Sequence, residues 1–288
     1  MTMNKKLIVL ILLLALSICL AACFSAKDDS SGINDNSSGS TGDSSEANDD
    51  SSGTYDDFAY VTEKGSMIIG YTVYEPMNYT DAGGNFTGFD TELARAVCAK
   101  LELEPNFVEI NWDTKEIELS AKSIDCIWNG LTITDERKEN MAITIPYVKN
   151  AQVVVMKANA AYTDTSSLIG KTVCAEMKSA GEEAINDDEN LQNANYISKE
   201  IQTACLMEVA AGTADAAVLD LTLAKAMIGP GTDYSNLAIK DRLAVEDYGI
   251  AFRKGSSICE KVNTVLRDLV ADGTLKALAD KYGLDLSE

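Results

Sequence analysis

The chain has 288 residues, a formal net charge of −21 and no histidine. The missing imidazole excludes histidine-based acid–base catalysis and histidine-ligated metal sites. The acidic balance argues against a nucleic-acid partner, because no basic stripe is available to neutralise phosphates.

Seven cysteines, at positions 19, 23, 98, 126, 174, 205 and 259, form no CxxC pair. Neither a zinc site nor a dithiol redox motif is indicated, and no metal or cofactor is expected. At the N-terminus, Lys5 and Lys6 precede an apolar stretch, 7–20, that is short for a membrane span and is followed at once by polar sequence. It ends in Leu20-Ala21-Ala22-Cys23, which resembles the lipobox of bacterial lipoproteins. That resemblance implies a signal peptide over 1–22, cleavage before Cys23 and a lipid on its sulfur. Cys19 is a poorer site, because Ile18 is large at the cleavage position; an ordinary secretory peptide is the alternative. Residues 23–57 are mostly Ser, Gly, Asp and Asn, with nine acids against one lysine. Such a segment buries too little apolar surface to offset its ordering entropy, so it reads as a disordered acidic tether.

From residue 58 onward strand and helix signals alternate, the pattern of α/β architecture. The pattern predicts a strand over 67–71, an amphipathic helix over 90–101 with Leu93, Ala94, Val97 and Leu101 on its apolar face, and a strand over 106–110. A helix capped by Asp113 and a buried strand over 124–128 come next. The strand runs into a polar turn and then a helix start, with Thr134 as N-cap and Asp135 and Glu136 in the first turn. The stretch 130–139 thus gathers backbone N–H groups, two hydroxyls and the planar donor fork of Arg137, which matches a carboxylate. It is a candidate grip for a small anion. Further strands are expected at 151–156, 171–175, 195–198, 214–219, 237–239 and 248–252. Helices are expected at 179–185, 199–211, 221–228, 256–271 and 275–281. One set of units before about 147 and a second from 151 to 244, with the C-terminal piece returning to the first, describe two lobes.

Several blocks in this order carry a family resemblance: Gly65 to Gly70, Tyr74-Glu75-Pro76-Met77, Gly84 to Asp90, Trp112-Asp113, Asp125, Thr132-Ile133-Thr134, Asp135-Glu136-Arg137 and Pro146-Tyr147. Gly170, Ser179 to Glu182, Ala214-Asp215-Ala216, Asp220, Tyr248 to Ala251 and Asp272-Gly273-Thr274 continue it. Over roughly 60–284 the chain resembles the extracellular solute-binding proteins of polar amino-acid ABC importers. The resemblance implies a type II periplasmic-binding-protein-like α/β fold, with lobe 1 at 58–148 plus 247–288 and lobe 2 at 149–246. Hinge strands would fall near 147–151 and 244–248, with ligand in the cleft. It also implies a lipoprotein on the extracellular face of the cell membrane that captures a free amino acid and hands it to an ABC transporter permease.

A free amino acid offers a carboxylate, an ammonium and a side chain, and each needs a partner once removed from water. Carried over from the family, Arg137 would take the carboxylate beside Thr132. Ser179, Ala180 and Gly181 would add N–H groups from a helix start on the other lobe. For Arg137 the alternative is a surface ion pair with a nearby acid. Asp220 would accept from the ammonium, helped by Asn129, Gly130 and Thr132; its alternative is a helix N-cap. Tyr74 and Trp112 correspond to an aromatic clamp on the ligand side chain, against plain core packing. Tyr71 stands where relatives that take cationic amino acids usually carry Asp, which argues against a simple lysine or arginine binder. Glu176 follows a strand, where it could select a donor or an amine, or simply be solvated. Cys98, Cys126, Cys174, Cys205 and Cys259 read as small buried hydrophobes, with a single disulfide left open. No catalytic residue is expected. The alternative functions are a cleft enzyme of the same fold, such as a prephenate-like dehydratase using Glu176, and a ligand-sensing module. The latter is disfavoured because no signalling domain or second membrane span follows.

Overall fold

The structure, a computed structural model, describes residues 56–288. The expected signal peptide, the lipid on Cys23 and the tether up to residue 55 lie outside them. The folded part starts slightly earlier than expected. Asp56 caps helix α1 (Asp57–Lys64), accepting from the Ala59 amide at 3.2 Å. Asp57 is buried, and its carboxylate accepts from Ser256 Oγ at 3.0 Å and from the Ser257 amide at 2.9 Å. Two adjacent acids after a polar tract look like more tether, yet they join the first helix to the start of a C-terminal one.

In chain order, β1 (Ser66–Tyr71), the short hairpin β2 (Tyr79–Thr80) and β3 (Phe86–Thr87), α2 (Phe89–Lys100), β4 (Glu104–Glu109), α3 (Lys115–Ser120), β5 (Cys126–Thr132), α4 (Asp135–Asn140) and β6 (Met141–Ile143) build one lobe. The chain crosses on β7 (Val148–Lys157) to a second lobe of β8 (Thr172–Glu176), α5 (Ala180–Asp187), β9 (Asn195–Lys199), α6 (Gln202–Ala211), β10 (Ala216–Asp220) and α7 (Leu221–Met227). It returns on β11 (Leu237–Arg253), and α8 (Ser257–Ala271) and α9 (Thr274–Tyr282) complete the first lobe.

Among the described residues, nine strands form one mixed sheet in the order β4-β1-β5-β11-β7-β10-β8-β9, with β6 paired to β11. Each lobe contributes a parallel set, β4-β1-β5 or β9-β8-β10. The antiparallel pair β11–β7 joins the two, with Val148 opposite Tyr248, Asn150 opposite Glu246 and Ala151 opposite Val245. The two expected hinges therefore run side by side. β5 and β10 are buried along their whole length, as parallel strands covered on both faces should be. Their apolar bodies drive that burial, and their polar tips emerge at the C-terminal ends.

Three sequence expectations change, the first being that β5 runs to Thr132, so residues 130–132 are buried strand rather than turn. β11 is one 17-residue strand rather than two short ones. Its middle, residues 240–247, reads as polar because one side faces solvent, and the register shifts twice against β7, between Ile239 and Asp241 and between Arg242 and Ala244. Such bulges break the alternation that signals a strand. Asp113 is not the cap of α3. Asn111 caps a single 3₁₀ turn, Trp112–Thr114, accepting from the Asp113 amide at 3.4 Å, and α3 follows. The five cysteines are free and buried, and among the described residues no helix is long and apolar enough to cross a membrane.

Candidate functional site

In α/β sheets the carboxyl ends of the strands are where ligands bind, because the helices that follow leave their N-termini and loops there. Here the tips of β5, β8 and β10 converge from both lobes. Trp112, Asn129, Gly130, Thr132 and Arg137 come from the first lobe. Glu176, Ser179, Ala180, Gln202 and Asp220 come from the second. Together they line a space of about 10 Å³, about what one water molecule needs. A wider recess of about 430 Å³ opens beside it, with Arg137 common to both.

On the first-lobe wall, Thr134 caps α4 by accepting from the Arg137 amide at 3.2 Å, as its position predicts. That cap turns Arg137 back along β5. The guanidinium is buried; Nη1 donates to the Thr132 carbonyl at 2.8 Å and Nη2 to Glu183 Oε1, on the other lobe, at 2.8 Å. The ion pair raised as the alternative thus exists, but it spans the cleft rather than the surface. The Thr132 hydroxyl donates to Glu246 Oε1 at 2.9 Å, not into a site for a carboxylate. The Asn129 side chain is engaged within its own lobe, donating to Thr72 Oγ1 at 2.7 Å and accepting from Asn78 Nδ2 at 2.8 Å.

Gly130 sits in the left-handed region at φ 58°, and a Cβ there would lie 2.8 Å from Tyr74 Cε1 and 3.0 Å from Tyr248 Cε2. Its amide donates to Asp90 Oδ2 at 2.7 Å, and the Tyr147 hydroxyl donates to Asp90 Oδ1 at 2.9 Å. Burial pushes the Asp90 carboxyl up to about 7 against those two donors.

On the second-lobe wall, Asp220 is clasped by amides. Asn150 Nδ2 donates to Oδ1 at 2.7 Å, Gln152 Nε2 to Oδ1 at 2.6 Å, and Gln202 Nε2 to Oδ2. Asp220 stands at the N-cap position of α7, but its side chain makes no capping bond, so the alternative reading of a simple helix cap fails. Ser179 caps α5, accepting from the Glu182 amide at 3.3 Å and donating to the Glu176 carbonyl at 2.7 Å. A Cβ on Gly181 would meet the Val218 carbonyl at 2.7 Å, so glycine lets the start of α5 lie against β10. Glu176 is buried rather than solvated, and burial, followed by the charge of Asp220, pushes its carboxyl up to about 8.

The two aromatic expectations part company. Trp112 lines the space, while Tyr74 lies behind Gly130 and is not part of the lining. The Tyr74 hydroxyl is shared with Tyr248 Oη at 2.5 Å and with Thr222 of the second lobe. Tyr71 does not line the space: its ring packs on Phe86 at 4.6 Å between centroids and edge-on to Phe107 at 6.3 Å. With Tyr71 at the end of β1 and Phe107 on the neighbouring β4, the aromatic cluster holds it out of the cleft.

Sequence reasoning missed six residues, among them Asn150 and Gln152 of the clasp around Asp220. Gln202 and Glu246 belong to the clasp: Asn150, Gln152 and Thr132 all donate to Glu246, whose carboxyl burial and the charge of Asp220 push up to about 8. Glu183 is the partner of Arg137. Lys115 is buried; its Nζ donates to the Trp112 carbonyl at 3.3 Å and across the cleft to the Lys178 carbonyl at 2.9 Å, and lies 4.7 Å from the Trp112 ring centroid. Lys178 Nζ returns to the Asp113 carbonyl at 2.9 Å. Burial, then the charge of Arg137, lowers the Lys115 ammonium to about 8. A lysine at helix position 1 and a glutamine on an exposed-looking face carry no sequence signal of this kind.

Residues 67–285 match the sequence profile of the bacterial extracellular solute-binding proteins, family 3. The L-cystine-binding protein TcyJ of Escherichia coli (strain K12) is 28% identical over 234 residues, covering 79% of this chain and 86% of that protein. Among solved structures, Tv2483 bound to L-arginine is 27% identical with a TM-score of 0.75, covering 81% of this chain and 97% of that one. The ancestral amino acid-binding protein AncCDT-1, a precursor of cyclohexadienyl dehydratase, is 28% identical with a TM-score of 0.71, covering 78% and 98%.

Proposed function

The chain belongs to family 3 of the bacterial extracellular solute-binding proteins, and from that premise we propose that it captures a free amino acid between its lobes and delivers it to an ABC transporter permease. The observation that carries the reading is the pairing of Arg137 and Asp220 across one space, a buried cation from the first lobe and a buried carboxylate from the second. An α-amino acid presents the complementary pair. Arg137 takes the carboxylate, with N–H groups at the Ser179–Gly181 turn; Asp220 takes the ammonium; Trp112 covers the side chain. Asn129, Gly130 and Thr132 contribute through their backbone. Tyr74 acts from behind Gly130 rather than as half of a clamp.

A space of about 10 Å³ is far too small for an amino acid. Binding therefore requires lobe 2 (149–246) to swing away from lobe 1 (58–148 with 247–288) about β7 and β11. Closure is driven because one ligand contacts both walls, and a ligand indifferent to the two arrangements would shift nothing. The leader resembling a lipobox supports anchoring through Cys23 on the outer face of the membrane. The reading is of a binder, not an enzyme: TcyJ is named for the cystine it binds, and AncCDT-1 is itself an amino acid-binding protein.

The test is a thermal-shift screen of the standard amino acids with ornithine, citrulline and cystine. A ligand at 100 times its dissociation constant stabilises by about 2.7 kcal/mol. A screen in which no amino acid raises the melting temperature would sink the reading.

A further inference from the structure

The lining holds one more acid than a neutral amino acid uses. The space is lined by one cation, Arg137, and two buried acids, Asp220 and Glu176. A zwitterionic amino acid uses Arg137 for its carboxylate and Asp220 for its ammonium, and leaves Glu176 over. Among the described residues no cation pairs with that carboxylate. Gln202 approaches it and the Lys115 charge reaches it. The Lys115 ammonium, however, is committed to the carbonyls of Trp112 and Lys178. From β9, Lys199 stands opposite Glu176 in the register, but its ammonium pairs with Glu208. With no cation beside it, burial keeps that acid protonated, and a cationic group on the ligand would let it ionise.

Resting on the amino-acid reading above, we propose that the ligand's side chain carries a positive charge and that Glu176 receives it, the acid coming from the second lobe rather than from the β1 position where Tyr71 stands. The ligand class is thus a basic amino acid: a guanidinium or ammonium at the end of a flexible chain. Tyr71 speaks only against a binder that recognises such a group from the first lobe.

The proposal has a thermodynamic signature. Burial and the charge of Asp220 keep a proton on Glu176 up to about pH 8. A cationic side chain displaces that proton, so binding near pH 7 releases it to buffer, and affinity rises from pH 6 to pH 8. The groups that face Glu176 and bear on this titration are Asp220 on β10, Lys115 on α3 and Cys205 on α6; the hydrogen bond with Cys174, then burial, pushes the Cys205 thiol far up, which removes it from this range.

The experiment is isothermal titration of the purified protein with arginine and ornithine, against citrulline and glutamine as neutral counterparts. Each titration is run at pH 6, 7 and 8 in two buffers of different ionisation enthalpy. The expected result is at least tenfold tighter binding of a basic amino acid than of its neutral counterpart, with proton release near pH 7. In Glu176→Gln that ratio falls to within about threefold of one and proton release is lost. Tighter binding of citrulline or glutamine by the wild-type protein, or an unchanged ratio in Glu176→Gln, overturns the proposal while leaving the amino-acid reading intact. Should Glu176→Gln fail to fold, absence of proton release from the wild-type protein on binding a basic amino acid overturns it equally. Failure of every amino acid to bind removes both.

Discussion

The two walls of the cleft carry opposite charge and are built in different ways. The first-lobe wall presents a single cation whose direction is set by the chain itself: Thr134 caps α4, and the Thr132 carbonyl takes one arm of Arg137 at 2.8 Å. The second-lobe wall presents two acids whose surroundings differ. Asp220 is fixed by three side-chain amides, while Glu176 meets only the edge of that network. One wall is a rigid anchor. The other combines an acid held by three amides with one that only Gln202 approaches. The difference suggests a division of labour, in which Arg137 and Asp220 recognise what every amino acid shares and Glu176 responds to what distinguishes them.

The largest expected effect separates those roles. Arg137→Ala removes the cation from the first wall, and Asp220→Ala the fixed acid from the second. Breaking one partner of a buried ion pair costs about 3–5 kcal/mol, so each should weaken amino-acid binding by roughly 150- to 4,000-fold. Calorimetry is the measurement, with far-UV circular dichroism to confirm folding. If Arg137→Ala binds as tightly as the wild type, the carboxylate is held elsewhere and the comparison of the walls collapses.

The next effect concerns the backbone behind the anchor. Gly130→Ala places a methyl group 2.8 Å from the Tyr74 ring and 3.0 Å from that of Tyr248, at a positive φ. Strain and overpacking together should destabilise by about 2–4 kcal/mol, lowering the melting temperature by roughly 4–16 °C for a domain of this size. An unchanged melting temperature would show that both rings yield, and with them the contact from Tyr74 to Thr222 across the lobes.

The third test uses pH. Glu176 and Glu246 are raised to about 8 and Asp90 to about 7, each chiefly by burial. In the unfolded chain these groups shed their protons near pH 4, so between pH 4 and pH 8 the unfolded state binds fewer protons than the folded one. The stability they contribute is complete below about pH 4 and is lost as pH rises through 7 to 8. Thermal unfolding without ligand should therefore show a lower melting temperature at pH 8.5 than at pH 5, and Glu176→Gln should flatten that slope. A melting temperature that rises with pH in this window would mean that the acids are ionised and paired.

Much of this architecture can be read from the chain, for physical reasons that also mark where reading stops. β5, β8 and β10 announce themselves because apolar bodies end in polar tips, and helix starts because Ser179 and Thr134 are good caps. Arg137, Asp220 and Glu176 lie at those junctions, so they were legible. β11 was not read as one strand, because a strand crossing between lobes with one face in water loses its apolar alternation. Gln202, Lys115 and Glu246 were invisible for another reason. Their roles come from contacts between elements distant in sequence, and nothing local distinguishes a buried lysine on α3 from a solvated one. The resemblance located Tyr71 on β1 but carried no sign of its aromatic neighbours, Phe86 and Phe107.

The smallest expected effect probes how the walls meet. Arg137 Nη2 donates to Glu183 Oε1 at 2.8 Å, joining the first lobe to α5 of the second. Glu183 offers the guanidinium the same group that a ligand carboxylate would offer, so the two compete, and the protein's own carboxylate also draws the lobes together. Because the Glu183 side chain is 43% exposed, solvent screens the pair and its net worth is about 0.2–1 kcal/mol. Glu183→Gln should then tighten amino-acid binding by up to about fivefold, and binding by the wild-type protein should be less weakened by salt than simple ligand–Arg137 attraction would predict, because salt also loosens the competitor. Titration calorimetry at two salt concentrations measures both. Weaker binding by Glu183→Gln would reverse the assignment: the carboxylate would then be aiming the guanidinium at the ligand rather than competing for it, and the first wall would depend on the second even before a ligand arrives.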